Sequence, residues 1–200
     1  YLVRYLKRRA RGFKGYILGL SGGLDSAVVA LLAQKAVKDD LLCVIINIES
    51  EKCDMDDALE LCKLHNLNYY YIDLTAEYRA VVKKLEESKK LTELSKINTK
   101  VRLRMVTLYA LGQTHSKLVL GTDNKAELFT GYFTKHGDGA ADLFVLSSLT
   151  KGEVFAAARL LGVTPNIINK IPSAGLYVGQ TDEAEMGIKY EDLDAFISGK

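Results

Sequence analysis

Two hundred residues suit one domain, for which about 100 to 200 are usual, and with 48% apolar and 26% charged residues the chain can bury a single core. A net charge of +2 gives no sign of a nucleic-acid partner, and no run reaches the roughly 18 to 20 apolar residues of a membrane span or has the form of a signal peptide. Cys43, Cys53 and Cys62 are odd in number and lack C-x-x-C spacing, which suggests neither disulfides nor zinc and fits a reducing, cytoplasmic compartment.

The chain begins without Met and inside a helical pattern, Tyr1 to Arg11, so a single domain over residues 1–200 is expected, with residues missing at one end or both. Lys7, Arg8, Arg9, Arg11 and Lys14 read as the solvated face of that helix. Tyr16 to Leu20 predicts a strand, and Asp25 to Val37 a helix with Val28, Val29, Leu31 and Leu32 inward. Leu42 to Ile48 is a second strand, apolar almost throughout, as a strand covered on both faces should be. Met55 to His65 predicts a helix capped by Asp54 or Asp56, and Asn68 to Asp73 a more polar strand nearer an edge. Thr75 to Gly112 is helical with a break near Lys89 to Thr92. A fourth strand follows at Lys117 to Leu120, then a short helix at Asp123 to Phe129. Thr130 to Ala141 reads as a glycine-rich loop, Thr150 to Leu161 as a helix ended by Gly162, Ile171 to Gly187 as loop, and Tyr190 to Ile197 as a last helix. Strands alternating with helices predict an α/β fold, a doubly wound parallel sheet flanked by helices.

The first strand runs directly into Ser21-Gly22-Gly23-Leu24-Asp25-Ser26 and a helix. Two glycines let the backbone approach a ligand without a Cβ in the way, and the helix start presents unpaired N–H groups and a positive dipole end. Ser21 and Ser26 can add hydroxyl donors. Asp25 would repel phosphate directly, so its role there is to bind Mg²⁺ that bridges to the phosphates. The plainer alternative is a helix start capped by Ser21 or Asp25. Neither the Walker A spacing nor G-x-G-x-x-G is present.

S-G-G-L-D-S after a first strand resembles the pyrophosphate loop of the ATP pyrophosphatase superfamily, which includes GMP, asparagine, argininosuccinate, lysidine and NAD synthetases and tRNA thiolases. Three further segments are similar to NAD synthetases in particular. Asn98 to Met105 resembles their N-x-K-x-R-x-R-M, Gly121 to Glu127 their G-T-D stretch with its acid, and Thr130 to Gly139 their T-G-[FY]-F-T-K-x-G-D-G loop, followed by Asp142 and by Leu149-Thr150-Lys151.

The resemblance implies an adenine nucleotide alpha hydrolase-like fold and ATP-dependent amidation of nicotinic acid adenine dinucleotide (deamido-NAD) to NAD, through an adenylate, with release of AMP and pyrophosphate. Nothing resembles a glutaminase domain, so ammonia is the expected nitrogen donor. By the same match, ATP is held by Gly19, Leu20, Ser21, Gly22, Gly23, Leu24, Asp25, Ser26, Thr122, Lys151 and Ser173, the last standing where Thr is usual. Arg102, Lys135 and Asp142 contact deamido-NAD, Asp25 and Glu127 share Mg²⁺, and Asp25 with Lys151 is central to catalysis. The family implies a homodimer, and Thr92 to Gly112 is the candidate interface. The plain readings are surface ion pairs for Arg102 and Arg104, a first-turn acid for Glu127, solvated loop charges for Lys135 and Asp138, structural roles for His65 and His136, and a helix-start acid pair for Asp56 and Asp57. Competing functions are a tRNA-thiolating or lysidine-type enzyme, or an adenine-nucleotide sensor without turnover.

Overall fold

The structure, a computed structural model, describes residues 1–173 and 180–199. Five strands, β1 (Tyr16–Gly19), β2 (Leu41–Asn47), β3 (Tyr69–Asp73), β4 (Leu118–Gly121) and β5 (Leu143–Phe144), pair in parallel in the order β3-β2-β1-β4-β5. The chain therefore winds outward from β1 to β3, then returns to the other side of β1 for β4 and β5. The expected doubly wound parallel sheet is observed, and β3 is the edge that its polarity predicts.

Side-chain alternation along the strands sorts the core into two layers. Tyr16 and Leu18 of β1, with Leu41, Cys43 and Ile45 of β2, face one side, while Ile17, Leu42, Val44 and Ile46 face the other. The first layer is covered by α1 (Leu2–Arg9), α2 (Leu24–Val37), α3 (Lys52–Leu64) and α7 (Lys151–Leu161). The second is covered by α4 (Thr75–Glu86) and α5 (Glu93–His115) through Tyr78, Met105 and Leu108. Residues Ala27 to Ala33 of α2 are all buried, because α1, α7 and the sheet enclose that helix on several sides. The short helices α6 (Lys125–Thr130), α8 (Pro165–Ile168), α9 (Asp182–Met186) and α10 (Tyr190–Ile197) complete the chain. Among the described residues no helix is long and apolar enough to cross a membrane.

Three local expectations need correction. The helix predicted from Met55 starts at Lys52, with Glu51 as its N-cap in extended backbone, so neither Asp54 nor Asp56 caps it. The loop expected from Ile171 to Gly187 contains α9, whose N–H at Ala184 is capped by the Thr181 side chain and whose end is the left-handed Gly187. Two elements, β5 and α8, were not anticipated; a two-residue strand and a four-residue helix are too short to show a period.

The reversal of winding between β1 and β4 leaves a crevice beyond their C-terminal ends, where sheets of this kind collect ligands. The loops that follow these two strands are the two motif-bearing segments, 20–24 and 121–125.

Candidate active site

Gly23 is the N-cap of α2 and offers no side-chain acceptor, so the first-turn N–H groups face the crevice without a capping partner. The alternative in which Ser21 or Asp25 caps this helix is therefore not what forms. Gly22 has φ +85°, and a Cβ there would collide with the backbone of Asp54, so the loop lies directly against the first turn of α3. The two serines tie the loop together: Gly23 N–H donates to Ser21 Oγ at 3.2 Å, the two hydroxyls are 3.0 Å apart, and Ser26 Oγ donates to Gly23 O at 3.1 Å. Ser21 is exposed, whereas Leu20 and Leu24 are buried in the core. Leu20 and Leu24, like Gly19, bring only backbone to the loop.

Lys151, at the start of α7, is 2% exposed, and its ammonium lies 2.6 Å from Asp25 Oδ2 and 3.6 Å from Glu127 Oε1. Asn124 Nδ2 donates to the other oxygen of Asp25 at 3.0 Å. Glu127 accepts from Asn124 N–H at 2.9 Å in a capping box that starts α6, and its second oxygen accepts from Tyr190 OH at 3.3 Å. The single Tyr190 hydroxyl proton is shared with Asp182, the nearer acceptor at 2.9 Å, and the Lys151 ammonium stands 4.8 Å from the Tyr190 ring centroid. Tyr132 OH completes the network on Asp182 and Glu185.

The electrostatics of this cluster are set first by burial and then by the crowding of several carboxyl groups around one lysine. Burial, and then the charge of Asp25, pushes the Glu127 carboxyl up to about 7, with Lys151 partly opposing. Burial raises Asp182 as well. Burial disfavours the Lys151 ammonium, but Asp25 and Glu127 outweigh it and raise the lysine above its ordinary value. Asp123, 4% exposed, has one carboxylate oxygen without a partner; burial and then Asp138, Glu127 and Asp25 push it to about 8. Among the described residues no three His, Cys, Asp or Glu side chains form a metal-ligating group.

The glycine-rich loop is fastened to α5. Thr134 Oγ1 donates to Asn98 Oδ1 at 2.9 Å, and Thr134 N–H donates to Asp138 Oδ1 at 2.7 Å. Burial raises the Asp138 carboxyl, so the solvated-charge reading fails for it. Lys135 is exposed, and its carbonyl accepts from Arg102 Nε at 3.1 Å, which brings these two predicted contacts together. Arg104 points elsewhere: it donates to Ser50 Oγ at 3.0 Å and to Ile46 O at 3.4 Å, and burial lowers it to about 10. Asp142 accepts from Val119 N–H at 2.7 Å, so one of its oxygens already fastens the segment to β4. Thr122 stands directly after β4 at the winding reversal, and Ser173 is exposed beside the segment 174–179. None of these residues lines a cleft of about 740 Å³ between α4 and α5, whose walls carry the Glu49–Arg79, Glu49–Lys100 and Glu86–Lys96 ion pairs.

Asn124, Asp182 and Tyr190 were not singled out from the sequence. Asn124 was findable, since N-x-x-E before a helix is a capping-box signature; Asp182 and Tyr190 reach the site only by tertiary folding. Lys170 was also missed. Its ammonium lies 2.6 Å from Asp54 Oδ1 and 2.5 Å from Asp57 Oδ2, so Asp57 is held by a distant lysine and not merely by its helix.

Comparison with known proteins gives a consistent picture. The sequence profile of a family described as NAD synthase matches residues 1–199. The NH(3)-dependent NAD(+) synthetase of Mycoplasmopsis pulmonis is 46% identical over 203 residues, covering all of this chain and 78% of that one. The structure of NMN synthetase from Francisella tularensis superposes with a TM-score of 0.94 at 42% identity, over all of this chain and 84% of that one. An NH3-dependent NAD synthetase structure from Campylobacter jejuni gives 0.82 at 32% identity, over 99% and 81% of the two chains.

Proposed function

Since the chain belongs to the NAD synthase family, we propose that it amidates the nicotinate carboxylate of deamido-NAD to give NAD, with ATP as co-substrate and ammonia as nitrogen donor. The carboxylate oxygen attacks the α-phosphorus of ATP and pyrophosphate leaves; ammonia then attacks the acyl carbon of the adenylate and AMP leaves. The observation that carries this reading is the Asp25–Lys151–Glu127 cluster set against the uncapped start of α2. An anionic nucleophile must approach a triphosphate, and fixed cations and N–H dipoles at that point lower the barrier.

The loop from Ser21 to Ser26 would hold the pyrophosphate, and Thr122 and Ser173 the rest of ATP. Arg102, Lys135 and Asp142 would hold the dinucleotide. Asp25 and Glu127 fit Mg²⁺: they converge on one cation, their cluster is short of positive charge, and Mg²⁺ is commonly bound by one or two carboxylates plus phosphate oxygens. When bound there it would neutralise both the triphosphate and the incoming carboxylate. Lys151, charged at this point, would turn from Asp25 and Glu127 to the phosphates of ATP. We place the enzyme in the cytoplasm, as a homodimer formed through α5, where Leu94, Val106 and Tyr109 are exposed apolar side chains on a long helix.

A second reading has its own support. The structural match to an NMN synthetase, at a TM-score of 0.94, favours nicotinic acid mononucleotide as the acid that is amidated. One assay addresses both: pyrophosphate release from MgATP with ammonium, with deamido-NAD or nicotinic acid mononucleotide or neither. Dependence on the dinucleotide with the higher kcat/KM is expected. Preference for the mononucleotide would transfer the proposal to it, and nucleotide binding without turnover on either would leave only a sensor. Asp25→Asn should abolish turnover with the fold intact; near-normal activity would overturn its role.

A further inference from the structure

The Lys170 ammonium, next to Asp54 and Asp57 at the start of α3, also lies 3.5 Å from the carbonyl oxygen of Gly22 in the phosphate loop. Three separate parts of the chain meet there: the loop after β1, the first turn of α3, and the segment leaving α8. A peptide unit is planar, so its carbonyl and its N–H point in opposite directions and turn together. The Gly22–Gly23 unit is held at both ends, by Lys170 at the carbonyl and by Ser21 Oγ at the Gly23 N–H. Gly22 itself sits at φ +85°, and two glycines in succession leave this peptide free to turn unless something outside the loop fixes it. Its orientation sets where the Ser21 hydroxyl and the first N–H groups of α2 point.

We propose that Lys170 is a positioning residue for the triphosphate: with Asp54 and Asp57 it clamps the Gly22–Gly23 peptide in the orientation that the phosphates need. The lysine acts through the loop and not by touching the nucleotide: its ammonium meets the Gly22 carbonyl at 3.5 Å and is anchored to α3 by two carboxylates. Asp54 and Asp57, 21% and 11% exposed in their side chains, anchor the ammonium on α3, against whose first turn Gly22 is packed. This assignment rests on the reading of residues 21–26 as the phosphate loop.

The test measures MgATP affinity by calorimetry and steady-state kinetics on the full chain, with Lys170→Met, Lys170→Arg and the double variant Asp54→Asn/Asp57→Asn. Lys170→Met is expected to raise Kd and KM for ATP about tenfold, with kcat and the KM of the acid substrate changed less than about twofold; a tenfold change is about 1.4 kcal/mol. Lys170→Arg should recover most of the affinity. Asp54→Asn/Asp57→Asn should weaken ATP like Lys170→Met, because it releases the same clamp. Unchanged ATP affinity in Lys170→Met overturns the proposal. So does tighter ATP binding in the double aspartate variant, which would mean that the lysine acts directly on phosphate. Failure of the unmodified chain to bind MgATP would instead overturn the phosphate-loop reading itself, and this proposal with it.

Discussion

Lys151→Met isolates the energetics of the buried cluster. Methionine keeps the length of the side chain and removes its charge, leaving Asp25 and Glu127, whose side chains are only 18% and 14% exposed, facing each other. At an effective dielectric near 20 the gross attraction is about 6 kcal/mol for the contact at 2.6 Å and about 5 kcal/mol for that at 3.6 Å, most of it offset by the desolvation of the lysine. Breaking a buried pair from one side leaves a net loss of about 3 to 5 kcal/mol, and the partial exposure of both carboxylates puts this site near the lower end. At roughly 2 to 4 °C per kcal/mol for a domain of this size, Tm should fall by about 6 to 12 °C at pH 8. The loss should be pH-dependent. Glu127, already raised to about 7, moves higher without its cation, so the folded variant binds a proton that the unfolded chain releases near pH 4 to 5. A carboxyl raised in the folded state costs stability as pH rises, so the deficit should shrink by about half at pH 5.5. Millimolar Mg²⁺ should recover part of the Tm at pH 8 in Lys151→Met and much less in Lys151→Met/Asp25→Asn. Differential scanning calorimetry at the two pH values decides the matter. A deficit below about 1 kcal/mol at pH 8, or an equal one at both, refutes the argument that the lysine is the counter-ion of a strained acidic cluster.

Two further outcomes follow from single residues. Asp123 is raised from 3.8 to about 8, chiefly by burial, so wild-type stability contributed at this position is lost as pH climbs from 4 to 8, with a ceiling of about 6 kcal/mol at about 1.4 kcal/mol per unit. Asp123→Asn should therefore be more stable than wild type by about 2 kcal/mol at pH 9 and nearly equal to it at pH 5, as read by urea unfolding; an equal effect at both would remove titration as the cause. Gly22→Ala should cost at least ~3 kcal/mol, since it adds a collision with the Asp54 backbone to the roughly 1 to 2 kcal/mol of left-handed strain. Gly131→Ala, also left-handed but with open space around it, should show the strain alone; similar losses in the two would mean that the loop yields freely.

Much of this was legible because it is local. The continuous apolar run that lets β2 be covered on both faces, the strand-glycine-helix junction at Ser21, and the break between α4 and α5 are all written in contiguous residues. What was not legible depends on closure of the chain. Nothing near Lys170 announces that it meets Asp54 and Asp57 more than a hundred residues earlier, and nothing near Tyr190 indicates that its hydroxyl spans Glu127 and Asp182. The start of α3 was misplaced as well. Asp54 and Asp56 fit the preference of aspartate for a helix start, whereas in the fold Glu51 holds the N-cap and Asp54 pairs with Lys170.

Glu127 shows why a plain reading and a functional one need not compete. One carboxylate oxygen closes the capping box of α6, and the other faces Lys151 and Tyr190. The cap fixes the rotamer, so the oxygen directed at the cluster is aimed at no extra cost in side-chain entropy. Asn124 repeats the device from the other end of the same box: its Oδ1 accepts from the N–H groups of Ala126 and Glu127, and that leaves its Nδ2 directed at Asp25. The start of a six-residue helix thus orients both acids of the cluster, and a sequence signal as ordinary as N-x-x-E is sufficient for it. Two residues that each satisfy a local rule give the crevice its geometry, while the excess of charge they gather there is left for a bound cation and phosphates to balance.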